Sequence, residues 1–137
     1  MEFRIAVAQF SIRQLDPELN LKRAEIFVKK ARKRNANVIV FPEDFITGPL
    51  RGNMRQYADS VGKYPKYFQR IAKKHKIDIV AGSIIENQNG KFYNTSYYID
   101  RTGKIKGKYR KINLWHSERN YLTAGEKIKV FKRRGLN

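Results

Sequence analysis

Apolar positions recur along this chain with two different periods, and the change from one to the other marks out strands and helices. Residues 3–10 centre on Ile5 and Val7 with neighbouring alanines, a short apolar run that suits a buried or half-buried strand. Next comes Asp16-Pro17, an acid able to accept from free amide groups followed by a ring that fits the first helical position. Behind it Ala24, Phe27, Val28 and Ala31 fall at i, i+3, i+4 and i+7, which predicts one apolar stripe between lysines and arginines. Residues 35–37 end that helix, and Val38-Ile39-Val40-Phe41 is a continuous apolar run of the kind found in strands covered on both faces. The run stops at Pro42-Glu43. Tyr64, Tyr67, Phe68, Ile71, Ala72 and His75 return to helical spacing, with a start near Pro65, and residues 77–85 read as another buried strand.

Beyond this point strands follow strands. Asn89-Gly90 predicts a hairpin turn leading into the Tyr-rich stretch 92–99, and Thr102-Gly103 marks a second turn before residues 104–112. The order is β-α-β-α-β-β-β, an α/β domain covering residues 1–137. Right-handed crossovers place its first helices on one face of a mixed sheet. Residues 48–53 are the one stretch that reads as a long surface loop.

Composition narrows the picture. At 41% hydrophobic and 12% aromatic residues the chain has the material for a packed core. It has no cysteine, so disulfides, thiolate zinc sites and a thiol nucleophile are excluded within it. No stretch approaches the roughly 18 consecutive apolar residues of a membrane span. The opening residues carry an acid at position 2 and only a short apolar run, unlike a secretory signal, so a cytoplasmic protein is expected. The excess of 30 Lys plus Arg over 12 Asp plus Glu, a net +18, would draw polyanions. Its spread over residues 22–34, 70–76, 101–111 and 127–134 favours solvated helix and strand faces over one binding patch.

Two places could carry chemistry. Phe41-Pro42-Glu43 presents a carboxylate directly after an apolar strand, where ligands of open α/β sheets tend to bind, and a carboxylate beside buried surface suits a general base. An exposed acid at a strand end is the plainer reading. Lys111, in the run Lys108-Tyr109-Arg110-Lys111, could hold an ammonium near developing negative charge. A basic edge strand that discourages aggregation is the plainer reading there.

Taken in order, these pieces resemble the nitrilase superfamily of carbon-nitrogen hydrolases, which includes nitrilases, aliphatic amidases and carbamoylases. The resemblance runs through Ile5-Ala6-Val7-Ala8-Gln9, Val38 to Glu43, Val80-Ala81-Gly82-Ser83, Tyr93-Asn94-Thr95-Ser96, Gly103, Lys108 to Lys111 with Asn113-Leu114, Glu118 and Gly125-Glu126. It implies part of an αββα sandwich. It implies too that Glu43 is a general base, that Lys111 stabilises a tetrahedral intermediate, and that Glu118 helps position substrate and catalytic groups. Asn113 stands where the family usually has His, a change that keeps a hydrogen-bonding side chain. The family nucleophile is a cysteine, expected shortly beyond Asn137, after a strand that begins at Lys129-Val130-Phe131. Without it Glu43 and Lys111 cannot form a thioester, so the chain alone should be inactive.

Other candidates weigh less. His75 and His116 lie far apart without convincing co-ligands, and Gly48, Gly52 and Gly62 do not coincide with a strand, phosphate-loop spacing and helix start, so no metal and no cofactor are expected. Tyr97 and Tyr98 sit in an expected strand, where packing is favoured over stacking on bases. The partners implied are a small amide or nitrile substrate, a second polypeptide carrying the Cys half, and another copy of the chain; nucleic acid is disfavoured and no membrane is expected. The alternatives to a hydrolase half are a non-catalytic interaction module and a basic polyanion-binding protein.

Overall fold

The computed structural model describes residues 2–50 and 54–132. In chain order the elements are β1 (Ile5–Val7), α1 (Pro17–Lys33), β2 (Val38–Val40), α2 (Met54–Tyr57), α3 (Lys63–His75), β3 (Asp78–Val80), β4 (Ile84–Gln88), β5 (Lys91–Ile99), β6 (Ile105–Arg110) and a 3-10 turn, His116–Asn120. They form one mixed six-stranded sheet. β1, β2 and β3 are parallel neighbours, and β3 and β4 pair antiparallel with successive lengths of β5. Tyr98 and Ile99 pair with both β3 and β6, so β6 lies on the opposite edge of β5. β6 is antiparallel to β5 and therefore runs parallel to β2; the carboxyl ends of these two strands emerge at the same end of the sheet.

Helix α1 forms where the pattern placed it. Asp16 Oδ1 accepts from the Leu19 amide at 3.0 Å, Pro17 opens the helix, and Ala24, Val28 and Ala31 face inward. The same face carries Asn20, fully buried. Its Nδ2 donates to the carbonyls of Arg13 and Ile46, and its Oδ1 accepts from the Arg13 amide, which ties the helix to the loop following β2. Helices α1 and α3 pack on the sheet face made by Ala6, Ile39, Ile79 and Ile99, with Phe10, Phe41, Phe45 and Phe68 in mutual ring contact between them. The opposite sheet face is only partly covered among the described residues. Ile5 and Val7 are 61% and 77% exposed there, and Val38, Val80, Tyr98 and Phe131 line an apolar groove.

Helix α3 starts at Lys63, near Pro65 as expected, and its cap comes from outside the helical pattern. Asp59, buried, accepts from the amides of Val61 and Lys63 at Oδ1 and of Tyr64 at Oδ2, while its own backbone bonds to Ile85 and Asn87 on β4. Asp59→Ala leaves these amides without an acceptor. It should lower unfolding stability by about 2 kcal/mol, read from the urea midpoint at unchanged m-value.

Two expectations need correction, and a third is only partly covered by the described residues. The single strand at 77–85 is two strands, broken at Gly82, whose φ is +57°. A Cβ there would lie 2.1 Å from the Pro42 carbonyl oxygen, so the chain bends where it meets the loop carrying Glu43. The strand expected to begin at 129–131 does not form among the described residues, where Ile128 and Val130 are 85% and 91% exposed. The loop read at 48–53 is followed at once by a short helix, α2, and its residues 51–53 lie outside the described residues. The Asn89-Gly90 hairpin is as expected, with both residues at positive φ between Gln88 and Lys91. Tyr97 is buried and its hydroxyl donates to Glu86, which makes it a packing residue.

Candidate active site

Glu43 follows β2 by way of Phe41, whose amide extends the ladder to the Val80 carbonyl, and Pro42. Lys111 follows β6 directly, and its amide continues the ladder to the Asn94 carbonyl on β5. Because β2 and β6 run the same way, both side chains leave the same end of the sheet. They meet: Lys111 Nζ is 2.9 Å from Glu43 Oε1, although the two residues are 68 apart in sequence. Glu118 joins from the 3-10 turn, its carboxylate 2.9 Å from the same ammonium. The three residues singled out in the sequence therefore form one carboxylate-ammonium-carboxylate chain.

Each member is held from behind. Glu118 is nearly buried, and its Oε2 accepts from the Trp115 amide at 2.7 Å, which fixes the start of the turn that carries it. Leu114 and Leu122, flanking that turn, pack with Leu50 and Ile85 in a small second core. Glu43 is the most exposed of the three, with 56% of its side chain accessible, and Asn94 Nδ2 donates to its Oε1 at 2.8 Å. Partial burial of Lys111 works against its charge, but the hydrogen bonds to Glu43 and Glu118 outweigh this and raise its pKa. The ammonium therefore stays charged. The group opens on a cleft of about 270 Å³ whose walls include Leu50, Trp115 and Tyr121.

Glu43, Asp44 and Glu118 bring carboxylate oxygens within 4.8 Å of one another, a spacing that a divalent ion could use. The Lys111 ammonium already lies between Glu43 and Glu118 and supplies the positive charge there. His75 and His116 take no part in the cleft: His75 Nε2 is 3.0 Å from Glu25 Oε1 between α3 and α1, and His116 opens the 3-10 turn.

The family model for carbon-nitrogen hydrolases matches residues 4–137. The chain belongs to that family. Among curated relatives, this carbon-nitrogen hydrolase chain is 37% identical over 139 residues to a 2-oxoglutaramate amidase of Bacillus subtilis, covering 99% of the chain and 53% of the relative. It is 32% identical over 141 residues to the omega-amidase NIT2 of Danio rerio, covering 96% and 50%. Among solved structures, Saccharomyces cerevisiae Nit3, a member of branch 10 of the nitrilase superfamily, superposes with a TM-score of 0.88 at 30% identity, over 96% of this chain and 52% of that one. The chain spans about half the length of the relatives it matches.

Two side chains at the cleft had no role assigned from the sequence. Asn94 stood inside a matching motif, and the signal for it was an amide in the middle of an aromatic strand. Asp44 gave no signal beyond adjacency to Glu43. Its backbone amide donates to Ser83 Oγ at 2.9 Å and the hydroxyl donates back to Oδ1 at 3.2 Å, across the bend made by Gly82. Burial, with the charge of Glu43 beside it, pushes its pKa up to about 6. The unfolded chain loses this proton first, so Asp44 lowers stability as pH rises from about 4 to about 6, and the loss is complete above that window. Glu25, held down to about 2 by Lys74 and His75, adds stability that is full above about pH 4.5 and is lost as pH falls toward about 2. Asp44→Asn keeps an oxygen for Ser83 and removes the ionisation; it should gain about 1–2 kcal/mol at pH 7.5 and nothing at pH 4 in urea titrations.

Proposed function

We propose that this chain supplies the acid-base and charge-stabilising part of an amidase-type carbon-nitrogen hydrolase site, with Glu43 as general base, Lys111 as the cation facing the developing oxyanion and Glu118 as the residue that positions Lys111. The observation that carries this reading is the convergence of Glu43, Lys111 and Glu118 on one ammonium at the mouth of a cleft. Two similar relatives are amidases by name, which favours an amide over a nitrile as substrate.

The nucleophile comes from a second segment, because the sequence contains no cysteine. In the completed site Glu43 takes the thiol proton, the thiolate adds to the amide carbon, and Lys111 faces the oxygen that becomes negative. Collapse breaks the C-N bond, and the proton held by Glu43 leaves with ammonia. Water then attacks the thioester, with Glu43 accepting its proton and the thiol recovering one on departure.

The test is complementation. The chain is mixed or fused with the Cys-bearing half of the Bacillus subtilis relative, and ammonia release from a small amide is followed. Turnover should appear with both parts present and be absent with either alone. Turnover by this chain alone, or turnover of the pair that survives both Glu43→Ala and Lys111→Ala, overturns the assignment.

A further inference from the structure

A larger groove, of about 520 Å³, lies away from the Glu43 cleft, between the start of β5, the body of β6 and the segment after the 3-10 turn. Its walls carry Lys91, Lys108, Arg110, Lys127 and Lys129 against one carboxylate, Glu126. Glu86, nearly buried beneath, pairs with two of these cations: Lys108 Nζ lies 2.8 Å and Arg110 Nη2 4.0 Å from its carboxylate. Among the described residues Lys91, Lys127 and Lys129 have no ion pair.

The wall is built. The Thr123 amide donates to the Phe92 carbonyl at 2.7 Å and the Gly125 amide to the Lys111 carbonyl at 2.8 Å, so the segment is held against β5 and β6. A Cβ on Gly125 would lie 2.3 Å from the Arg110 carbonyl oxygen; only glycine allows this approach. The Arg110 guanidinium rests on the Tyr93 ring, 3.7 Å from its centre, and donates to Gln88. Its Nε is buried and has no hydrogen-bond partner among the described residues. A planar cation fixed on an aromatic face, with lysines around it, suits an oxyanion with several acceptor oxygens.

We infer that this groove is a binding site for a polyphosphate, recognised through its phosphates by Arg110, Lys91, Lys127 and Lys129. The volume exceeds what one phosphate fills, and the Tyr93 face is already covered by Arg110, so no ring is free there to stack a base. A free polyphosphate is therefore favoured, and a nucleic acid backbone is the other source of the same groups. The site is independent of the hydrolase reading, and its test uses binding alone.

Inorganic tripolyphosphate is titrated into the chain by calorimetry at about 50 mM salt and again at about 200 mM, where a multi-phosphate contact should weaken steeply. Lys127→Glu with Lys129→Glu exchanges two attractions for two repulsions on an exposed segment and should reduce affinity by about tenfold or more. Arg110→Lys keeps the charge and loses the fork, and should also weaken binding. The control is Lys29→Glu with Lys33→Glu on α1, exposed and outside the groove; it should change affinity by less than about twofold. No binding at the lower salt, or equal losses in control and groove variants, overturns the proposal and reduces the effect to net charge. A labelled oligonucleotide forms the second arm. Displacement by tripolyphosphate with the same variant pattern makes nucleic acid the source of the phosphates, and an oligonucleotide indifferent to the groove variants leaves the free polyphosphate.

Discussion

Lys111→Met in the complemented enzyme is expected to lower kcat by about 10²–10³-fold, the range seen when one donor to a developing oxyanion is removed. The side chain is 25% exposed and its ammonium lies 2.9 Å from both Glu43 and Glu118, so position and charge are both determined. Methionine keeps the length of the stem and removes the cation. Glu43 and Glu118 would then face each other without a counter-charge, and the hydrogen bonds that aim both carboxylates would be lost. Lys111→Arg should rescue little, because a planar fork cannot take the place of a point charge between two carboxylates. Steady-state kinetics with a small amide checks this: kcat within a few-fold of the parent for Lys111→Met would remove Lys111 from the chemistry.

Glu43→Gln should be the second large loss, about 10²–10⁴ in kcat, because an amide cannot accept the thiol proton. The fold should hardly notice. The carboxylate is 56% exposed, and a glutamine oxygen can still accept from Asn94 Nδ2. Urea midpoints of parent and variant should coincide within about 0.5 kcal/mol, as for exposed substitutions generally. A variant that folds normally yet keeps its rate would show that the proton goes elsewhere.

What could be read in the sequence was whatever depended on neighbours in the chain. The stripe of α1, the apolar run of β2 ending in Phe41-Pro42-Glu43, and the Asn89-Gly90 turn all rest on local spacing, and the structure has them. The juxtaposition of Glu43 with Lys111 followed from topology: once β6 is parallel to β2, the residues just past both strands must share an end of the sheet. Features made by distant contacts were not legible. Asp59 caps α3 from outside the helical pattern, Asn20 serves a carbonyl 26 residues away, and Asn94 reaches a carboxylate 51 residues away. The strand expected to begin at 129–131 came from the family resemblance rather than from local spacing, and it does not form among the described residues. Net charge says nothing of placement: +18 is spread along the sequence, and the folded chain brings five of its cations around one groove.

Gly82 gives the site an unexpected point of vulnerability. It has no functional group, yet the bend it permits sets the Pro42 carbonyl and, one residue on, the backbone of Glu43. In a saturation screen scored on turnover, position 82 should tolerate almost nothing, while a screen scored on abundance alone would tolerate far more. A methyl group there would push the base off its aim, and a shift of about 1 Å can cost about 10²-fold in rate. On the proposed roles, the most economical way to silence the complemented enzyme without touching a reactive atom is thus to add a single carbon behind it.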